Sequence, residues 1–505
     1  MDNESFDYIV IGAGASGSVV ANRLSADPAN KVLVLEAGET DSNPDISEVS
    51  SLVNLWGSEL DWMLFSEPQA RLNNREICIN QGKVLGGSTA LNAMMYVRGN
   101  RRNFDHWKSM GADGWSYQDL LPYFIALEDY EGGASNYHGV GGPISIRDCP
   151  DLAMRSPEFL LAARGIGYDG PYWDYNGERQ ENGAGLIQFH INKDGTRCSG
   201  ASAFLHPIQD RSNLSIKTLS QATKILFEDK KVVGVEYYNL GSIYQVKANK
   251  EVIVSAGALL TPKLLMLSGI GPAEHLRNLG ITVVVDLPGV GQNLQDHLQL
   301  PIIFRSNFHR PPILLTGNVL FVNTKFNHVD APPDLQINFA PAIPIPLANI
   351  LEFGSPACIF LAILLQPQSK GEVKLRSADF QDKPIINPNY LDQQEDLDVF
   401  TKALEIIRQL SRDQAFSKHN QGEILPGEEN LEQYIKSNAS TIWHPAGTCK
   451  IGNGSDAVVD SQLRVHGIEG LRIADASVMP MITSGNTVAP CFVIGAKAAD
   501  LILHK

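Results

Sequence analysis

Cysteine is scarce in this chain: six residues in 505, none paired as C-x-x-C. A disulfide framework or a zinc site needs denser, regular spacing. Cys78, Cys149, Cys198, Cys358, Cys449 and Cys491 therefore read as reduced, mostly buried thiols, and no metal site is expected. Basic clusters are missing too. Lys and Arg total 41 against 56 Asp and Glu, a formal charge of -15 with no local Lys/Arg run. Such a surface repels phosphate backbones, which argues against nucleic acid as a partner. Apolar runs such as Ala357–Leu365 fall far short of the roughly 18 residues of a membrane helix. The acidic stretch before Tyr8 lacks the basic start and apolar length of a secretory signal. The expectation is a cytoplasmic protein without a transmembrane segment. Nothing in the pattern speaks to oligomeric state.

What is present is a globular composition: 43% hydrophobic and 19% charged residues, enough for a sizeable core. Length alone suggests two to four domains. The 44 Gly and 28 Pro make the chain turn-rich without low complexity, and no internal repeat is visible.

The clearest local signal lies in the first forty residues. Asp7–Ile11 reads as a short buried parallel strand. A G-x-G-x-x-G turn follows, with Gly12, Gly14, Ala15, Ser16 and Gly17. Ser18–Leu24 has helical spacing, and Asn30–Leu35 is a second strand ending at Glu36 and Ala37. Gly12 permits the tight turn, Gly14 lets backbone approach a pyrophosphate, and Gly17 allows close helix–strand packing. The helix start offers free N–H groups to that pyrophosphate. Glu36 stands where a carboxylate accepts from ribose hydroxyls, which disfavours NADP. The motif alone does not separate FAD from NAD.

Two further segments do. They are Gly82–Asn92 (GKVLGGSTALN) and Gly257–Gly271 (GALLTPKLLMLSGIG). With Pro288–His297 (PGVGQNLQDH), Trp443–Lys450 (WHPAGTCK), Leu471–Pro480 (LRIADASVMP) and Ser484–Thr487 (SGNT), they occur in one order along the chain. This series resembles the glucose–methanol–choline (GMC) oxidoreductases, alcohol and choline dehydrogenase-like members. The resemblance implies FAD as cofactor. It implies a GMC oxidoreductase fold: a discontinuous α/β, Rossmann-like FAD-binding domain plus an α+β substrate domain with an antiparallel sheet. The expected pieces are 1–145, 200–300 and 440–505 for FAD, with 146–199 and 301–439 as the substrate domain. Asp334–Phe339, Cys358–Leu365 and Gly371–Arg376 read as strands of the latter, and Asp396–Ser411 as an amphipathic helix.

The resemblance also assigns residues. Gly87, Ser88, Asn92 and Ala93 lie against the flavin. Leu91 stands where some members carry a covalently tethering His, so FAD is expected to be non-covalent. Leu214–Ile225 reads as one β-pattern with Ala222 over adenine. Val252–Gly257 is a further strand whose Ala256 region lines the diphosphate, and a helix follows over Pro262–Leu267. Asp475, Ala476 and Thr487 also contact FAD. A last helix runs from Pro490 to about Leu503, its dipole suited to a reduced anionic ring.

Alcohol oxidation needs a base for the hydroxyl proton and a path for hydride to flavin N5. Histidine titrates near neutrality and suits the base. Of twelve histidines, His106, His138, His275, His309, His328, His419 and His504 sit in polar or loop contexts that suit surface or packing roles. His190 and His206 stay open, His466 reads as a turn residue, and His297 matches a position that is usually structural in the family. His444, before Pro445 and a Gly447–Thr448 loop, is the family's base, and Asn486 its partner across the flavin. An amide there donates to the alkoxide.

The stretch between His297 and Phe321 is shorter than in the alcohol dehydrogenase-like members, at the border of the substrate entrance. Pro311–Leu315, Phe339–Leu347 and Trp443 suggest apolar lining, though ordinary core is at least as good a reading. No aromatic cage for a quaternary ammonium is evident. The expected substrate is an aromatic or aliphatic primary alcohol, with oxygen or a quinone-type acceptor. Alternatives are choline oxidation and a hydroxynitrile lyase. Asn486 counts against the lyase, whose known members carry His at both positions. A photodecarboxylase would need Cys and Arg at sites that here resemble Gly317 or Asn318 and Asn338, and is rejected.

Overall fold

The computed structural model describes residues 4–308, 312–325, 331–343 and 356–504. His309, His328, Pro311 and the 344–347 end of the apolar segment lie outside the described residues.

Two sheets dominate. In the first, strands Leu471–Ile473, Ser242–Val254, Ser5–Ile11, Val32–Leu35 and Leu214–Lys217 lie side by side and parallel. All four residues of Val32–Leu35 are buried. Burial on both faces explains why these strands read as continuous apolar runs. A meander of Ser220–Glu228 and Lys231–Asn239 extends the sheet through Ser242–Val254, to seven strands in all. The 214–225 pattern is thus two strands, broken at Leu219, whose φ is 53°.

The first helix, Ala15–Leu24, packs against the final helix, Val488–Leu503. The approach is close: a Cβ on Gly495 would sit 2.4 Å from the Ser16 carbonyl oxygen. The final helix begins two residues before the expected Pro490, with Thr487 as its cap.

The second sheet is antiparallel and also seven-stranded. Its order is Asn420–Leu425, Leu298–Ser306, Ala357–Leu364, Leu335–Ala340, Asn318–Val322 and Gly183–Leu186, with Ser440–Thr441 beside Leu298–Ser306. The amphipathic helix Gln394–Arg412 covers one face, burying Phe400, Leu404 and Ile407 against Phe339, Phe360 and Leu364. The other face turns towards the parallel sheet. Strands Ile144–Asp148 and Leu298–Ser306 cross the expected boundaries at 145 and 300.

One strand expectation is corrected. Glu372–Lys374 pairs with Ile385–Asn387 in a separate two-stranded sheet, not with the large antiparallel one. Val373 and Ile386 are buried against Leu259 and Leu294, so the alternation reflects a core beside the nucleotide half.

Candidate active site

A cavity of about 580 Å³ is lined from both sheets. That volume suits a small-molecule site. At one end the first strand runs into the glycine turn. A Cβ on Gly12, at φ 98°, would meet the Ser255 carbonyl oxygen at 2.4 Å, so the turn closes only with glycine. Gly14 is different. A Cβ there would find its nearest neighbour, Gly87 Cα, 4.0 Å away, so the backbone lies open to the cavity. The first helix has no side-chain cap at Gly14, which leaves its leading N–H groups to a ligand. Glu36 accepts from Ala13 N and Gly38 N, each at 2.9 Å. Burial raises its pKa against those bonds.

Further in, Asn92 is clamped from both sides. Its Oδ1 accepts from Arg197 Nη1 at 2.9 Å and Met94 N at 3.1 Å. Its Nδ2 faces His190 Nε2 at 3.0 Å. His190 Nδ1 meets the Cys198 carbonyl at 2.7 Å, and burial pulls its pKa down to about 3. A neutral ring that donates from Nδ1 has a bare Nε2, so Asn92 donates to it. Arg197 is buried and, among the described residues, bonds to uncharged acceptors, including the Ile46, Thr89 and Asn92 carbonyls. Its Nη2 finds no hydrogen-bond partner among the described residues, and burial lowers its pKa to about 9. Asp475 joins the other wall, accepting from Gly257 N at 2.9 Å, Thr261 Oγ1 at 2.6 Å and Ser477 N at 2.8 Å.

The reacting end is built on Asp296. Its buried carboxylate accepts from His297 N, His444 N, Tyr390 Oη and Thr441 Oγ1. Burial pushes its pKa up to about 6 against these four bonds. Trp443, just before His444, sits at φ 65°, a strained backbone for a bulky residue. Gly447, at φ 91°, closes the loop behind.

The two histidines then fix each other's protons. His297 Nε2 lies 3.1 Å from the Leu365 carbonyl, which can only accept. Burial lowers the His297 pKa to about 3, so its Nδ1 is bare. That atom is 3.0 Å from His444 Nδ1, which must supply the hydrogen. Burial, then the neighbouring His297, hold His444 well below the ordinary histidine range. Its Nε2 is therefore unprotonated, and it faces Asn486 Nδ2 at 3.3 Å. Asn486 Oδ1 is buried and finds no partner among the described residues. The final helix begins beside it, and Thr487, Val488 and Cys491 line the cavity.

Sequence-derived site residues converge here. His444, Asn486, Gly12, Gly14, Ala15, Ser16, Glu36, Ala37, Gly87, Ser88, Asn92, Ala93, Ala222, Ala256, Asp475, Ala476 and Thr487 all line the cavity. Gly17 does not. A Cβ there would lie 2.0 Å from the Gly12 carbonyl oxygen, so it serves the turn's packing.

Other residues depart from their sequence readings. His297 is the partner of His444 rather than scaffold alone. His138 is buried between Glu128 and Asp174, 3.0 Å from each, not a residue without chemical neighbours. Leu315 and Trp443 line the cavity, whereas Phe339 packs into the core behind the sheet. Trp56 and Trp62 were not anticipated as lining. Trp56 and Trp443 have ring centroids 4.7 Å apart. Asn318 spends its amide on Ser156, Met154 and Phe339, while Asn338 reaches the cavity.

Among the described residues no helix is long and apolar enough to cross a membrane. No group of three or more His, Cys, Asp or Glu side chains among them is placed to hold a metal ion.

The chain matches the N-terminal model of the GMC oxidoreductases over residues 6–299 and the C-terminal model over 367–495. It is 39% identical to an alcohol dehydrogenase [acceptor] of Pseudomonas putida, covering 99% of this chain and 96% of that one. It is 39% identical, with the same coverage, to an oxygen-dependent choline dehydrogenase of Sinorhizobium fredii. Among solved structures, pyridoxine 4-oxidase from Mesorbium loti superposes with a TM-score of 0.91 at 31% identity, covering 99% of this chain and 100% of that one. Matched at both ends by the family models and along nearly its whole length by these relatives, the chain belongs to the GMC oxidoreductases, flavoenzymes that use FAD and act on CH–OH groups.

Proposed function

We propose that this enzyme oxidises a primary alcohol, aromatic or aliphatic, to the aldehyde, with His444 as base and Asn486 as its partner. The observation that carries the reading is the bare His444 Nε2 facing the Asn486 amide inside the cavity. FAD, when bound, supplies the hydride acceptor. Everything else is done by the chain. A substrate hydroxyl seated between the two side chains gives its proton to His444 Nε2. Asn486 Nδ2 donates to the oxygen as negative charge develops there. His297 holds the imidazole through Nδ1, so the ring neither turns nor takes its proton on the wrong atom.

The open backbone at Gly14, the uncapped first helix and the unpartnered Asn486 Oδ1 fit an extended dinucleotide. Gly14–Ser16, Glu36, Asn92, Ala222, Ala256 and Asp475 would hold it. Attachment is proposed to be non-covalent, since Leu91 lines the cavity where a tethering side chain would stand. The division into FAD-binding pieces 1–145, 200–300 and 440–505, with 146–199 and 301–439 above them, is our reading of the two sheets. Oxygen or a quinone is the proposed electron acceptor, and the cytoplasm the proposed location.

The relatives' printed substrates include choline and pyridoxine. The acidic residues lining this cavity are Glu36 and Asp475, both engaged by backbone donors at the nucleotide end. No carboxylate lines the cavity beside His444, since Asp296 lies behind it with its oxygens taken by four donors. The Trp56 and Trp443 indoles offer a face for stacking an aryl group, and a panel of alcohols weighs that against cation–π capture of choline.

Anaerobic mixing of holoenzyme with a panel of benzylic alcohols, alkanols and choline tests this. Benzylic or alkyl alcohols should bleach the visible flavin band faster than choline. Bleaching by choline alone would overturn the substrate class. Cleavage of mandelonitrile without bleaching by any alcohol would replace oxidation with lyase chemistry. Repeating turnover with oxygen and with a quinone dye separates oxidase from dehydrogenase.

A further inference from the structure

The antiparallel sheet presents an apolar face to the cavity, interrupted by amides. Register places Gln299, Ile363 and Gln336 on one rung, and Pro301, Leu361 and Asn338 on the next rung of the same face. Gln299, Ile363, Pro301, Leu361 and Asn338 line the cavity, with Gln336 behind them. Directly paired residues in an antiparallel sheet share a face, so Gln336 and Asn338 are neighbours and Gln299 faces the same side two strands away, across Ile363.

Their hydrogen bonds do not close. Gln336 Nε2 donates to Asn338 Oδ1 at 2.9 Å. This fixes the Asn338 amide with its NH2 turned away from Gln336. Among the described residues the partner of that NH2 is Met95 Sδ at 3.7 Å, and a thioether is a weak acceptor. Gln336 Oε1 finds no partner among the described residues, but it is an acceptor off the cavity wall, and a ligand oxygen that accepts from Asn338 leaves it as it is. Gln299 is half-buried, and its side-chain amide makes no hydrogen bond with the described residues. Asn338 and Gln336 are 2% and 1% exposed. A buried amide NH2 with no better acceptor than a thioether is rare in folded proteins, and a ligand oxygen that accepts from Asn338 Nδ2 is the direct explanation.

We propose that these amides form a second recognition site, which selects alcohols carrying a distal neutral hydrogen-bond acceptor: an ether, hydroxyl or carbonyl oxygen. The proposal rests on the alcohol-oxidising reading of His444 and refines its substrate. Distance follows from the strand. The Leu365 carbonyl anchors His297 at the reacting end. Ile363 and Leu361 lie two and four residues away, about 7 and about 14 Å along the strand. The acceptor therefore sits several bonds from the carbinol carbon. Charge is selected against. No carboxylate or cation lines this wall, so a carboxylate or ammonium there would be desolvated without a counter-charge.

The test uses wild-type holoenzyme and matched pairs: ω-methoxy primary alcohols and n-alkanols of equal heavy-atom count, lengthened one methylene at a time. Anaerobic flavin reduction gives the reduction rate over the dissociation constant for each. The ether should be favoured at one chain length by at least 10-fold, with the preference fading on either side. In Asn338→Leu and, on the less buried strand, Gln299→Leu, that ratio should fall towards one. A ratio flat at every length overturns this proposal while leaving alcohol oxidation intact. So does a preference that survives in both variants. Flavin bleached by no alcohol at all overturns the alcohol reading and this one with it.

Discussion

His297 Nδ1 lies 3.0 Å from His444 Nδ1, and the Leu365 carbonyl on the far side of His297 decides which ring owns the proton between them. The order runs in one direction: Leu365 takes the His297 Nε2 hydrogen, His297 Nδ1 takes the His444 Nδ1 hydrogen, and His444 Nε2 is left bare. His297 acts through His444 and is a positioning residue. His297→Ala removes the acceptor, frees the ring to reverse its tautomer, and should slow flavin reduction by about 10- to 100-fold. His297→Asn can still accept from His444 and donate to Leu365, so it should recover part of the rate. Stopped-flow reduction with both variants checks this. Equal losses would make His297 mere packing.

His444→Ala removes the base itself. Reduction by alcohol should fall by about 100-fold or more, because nothing else lining the cavity near Asn486 combines a bare nitrogen with reach to a hydroxyl. FAD content should hold, since His444 makes no contact with the glycine turn or Glu36. Unchanged reduction would remove His444 from the mechanism.

Acid should loosen this molecule. Burial holds His190 and His297 near a pKa of about 3, and His444 is also far below its ordinary value. Unfolded histidine titrates near 6.5. Between those values the unfolded chain binds more protons than the folded one, so stability is full above about 6.5 and lost as pH falls towards 3. Asp296 works the other way. Its raised pKa of about 6 favours the folded state as pH falls from there to the ordinary carboxylate range. Glu36 and Asp475, also raised by burial, act with Asp296. Glu128 and Asp174, held low against burial by their ion-pair partners, act with the histidines. The fall of His190 and His297 from 6.5 to about 3 exceeds the rise of Asp296 from 3.8 to about 6, which leaves a net loss. Thermal unfolding of holoenzyme from pH 7 to pH 4 should show the midpoint falling steadily. A flat profile would mean the three rings are solvated.

Much of this site was legible because chemistry constrained short segments locally. The glycine turn, the second strand and Glu36 each follow from sterics within a few residues, and His444 from a loop that Pro445 and Gly447 shape. What escaped was long-range. His297 and His444 are 147 positions apart, and only the antiparallel sheet brings them together. The Arg197–Asn92 pair spans 105 positions. A basic residue in a polar stretch gives no sign that it will be buried. Gly371–Arg376 alternates like a sheet strand, but alternation reports a half-buried surface without naming the partner, and its partner is a two-stranded ribbon. His138 looked like a loop residue because Glu128 and Asp174 approach from separate segments.

Arg197 should matter for cofactor affinity rather than for chemistry. Its Nη1 holds Asn92 O at 2.6 Å and Oδ1 at 2.9 Å, together with the Thr89 carbonyl. These fix the loop that carries Gly87, Ser88 and Asn92 into the cavity. Arg197→Met keeps the bulk and removes the fork, and should weaken FAD by about 10- to 100-fold, the cost of one or two charge-assisted hydrogen bonds. Arg197→Lys should rescue little, since a point charge cannot span three carbonyl oxygens. Titration of apoenzyme with FAD, read by flavin fluorescence, measures this directly. Unaltered affinity in Arg197→Met would uncouple the clamp from the cofactor.

Whether FAD is tethered is decided by which nucleophiles reach the cavity. Leu91 lines it and has none; its carbonyl accepts from Trp56 Nε1 at 3.1 Å, so the segment is held in place. Cys491 lines it too, but burial and then the nearby Asp475 raise its thiol pKa. A protonated thiol is a poor nucleophile. Lys263 is committed to the Phe380 carbonyl at 2.6 Å. His444 is needed as the base and is held by His297. With each of these four side chains inert, protonated or engaged, dissociable FAD is the expected outcome. Unfolding the holoenzyme in guanidinium and filtering it should release all of the yellow chromophore. Colour retained with the polypeptide would require a bond that none of these side chains is poised to make, and would reopen Cys491 as the attachment point.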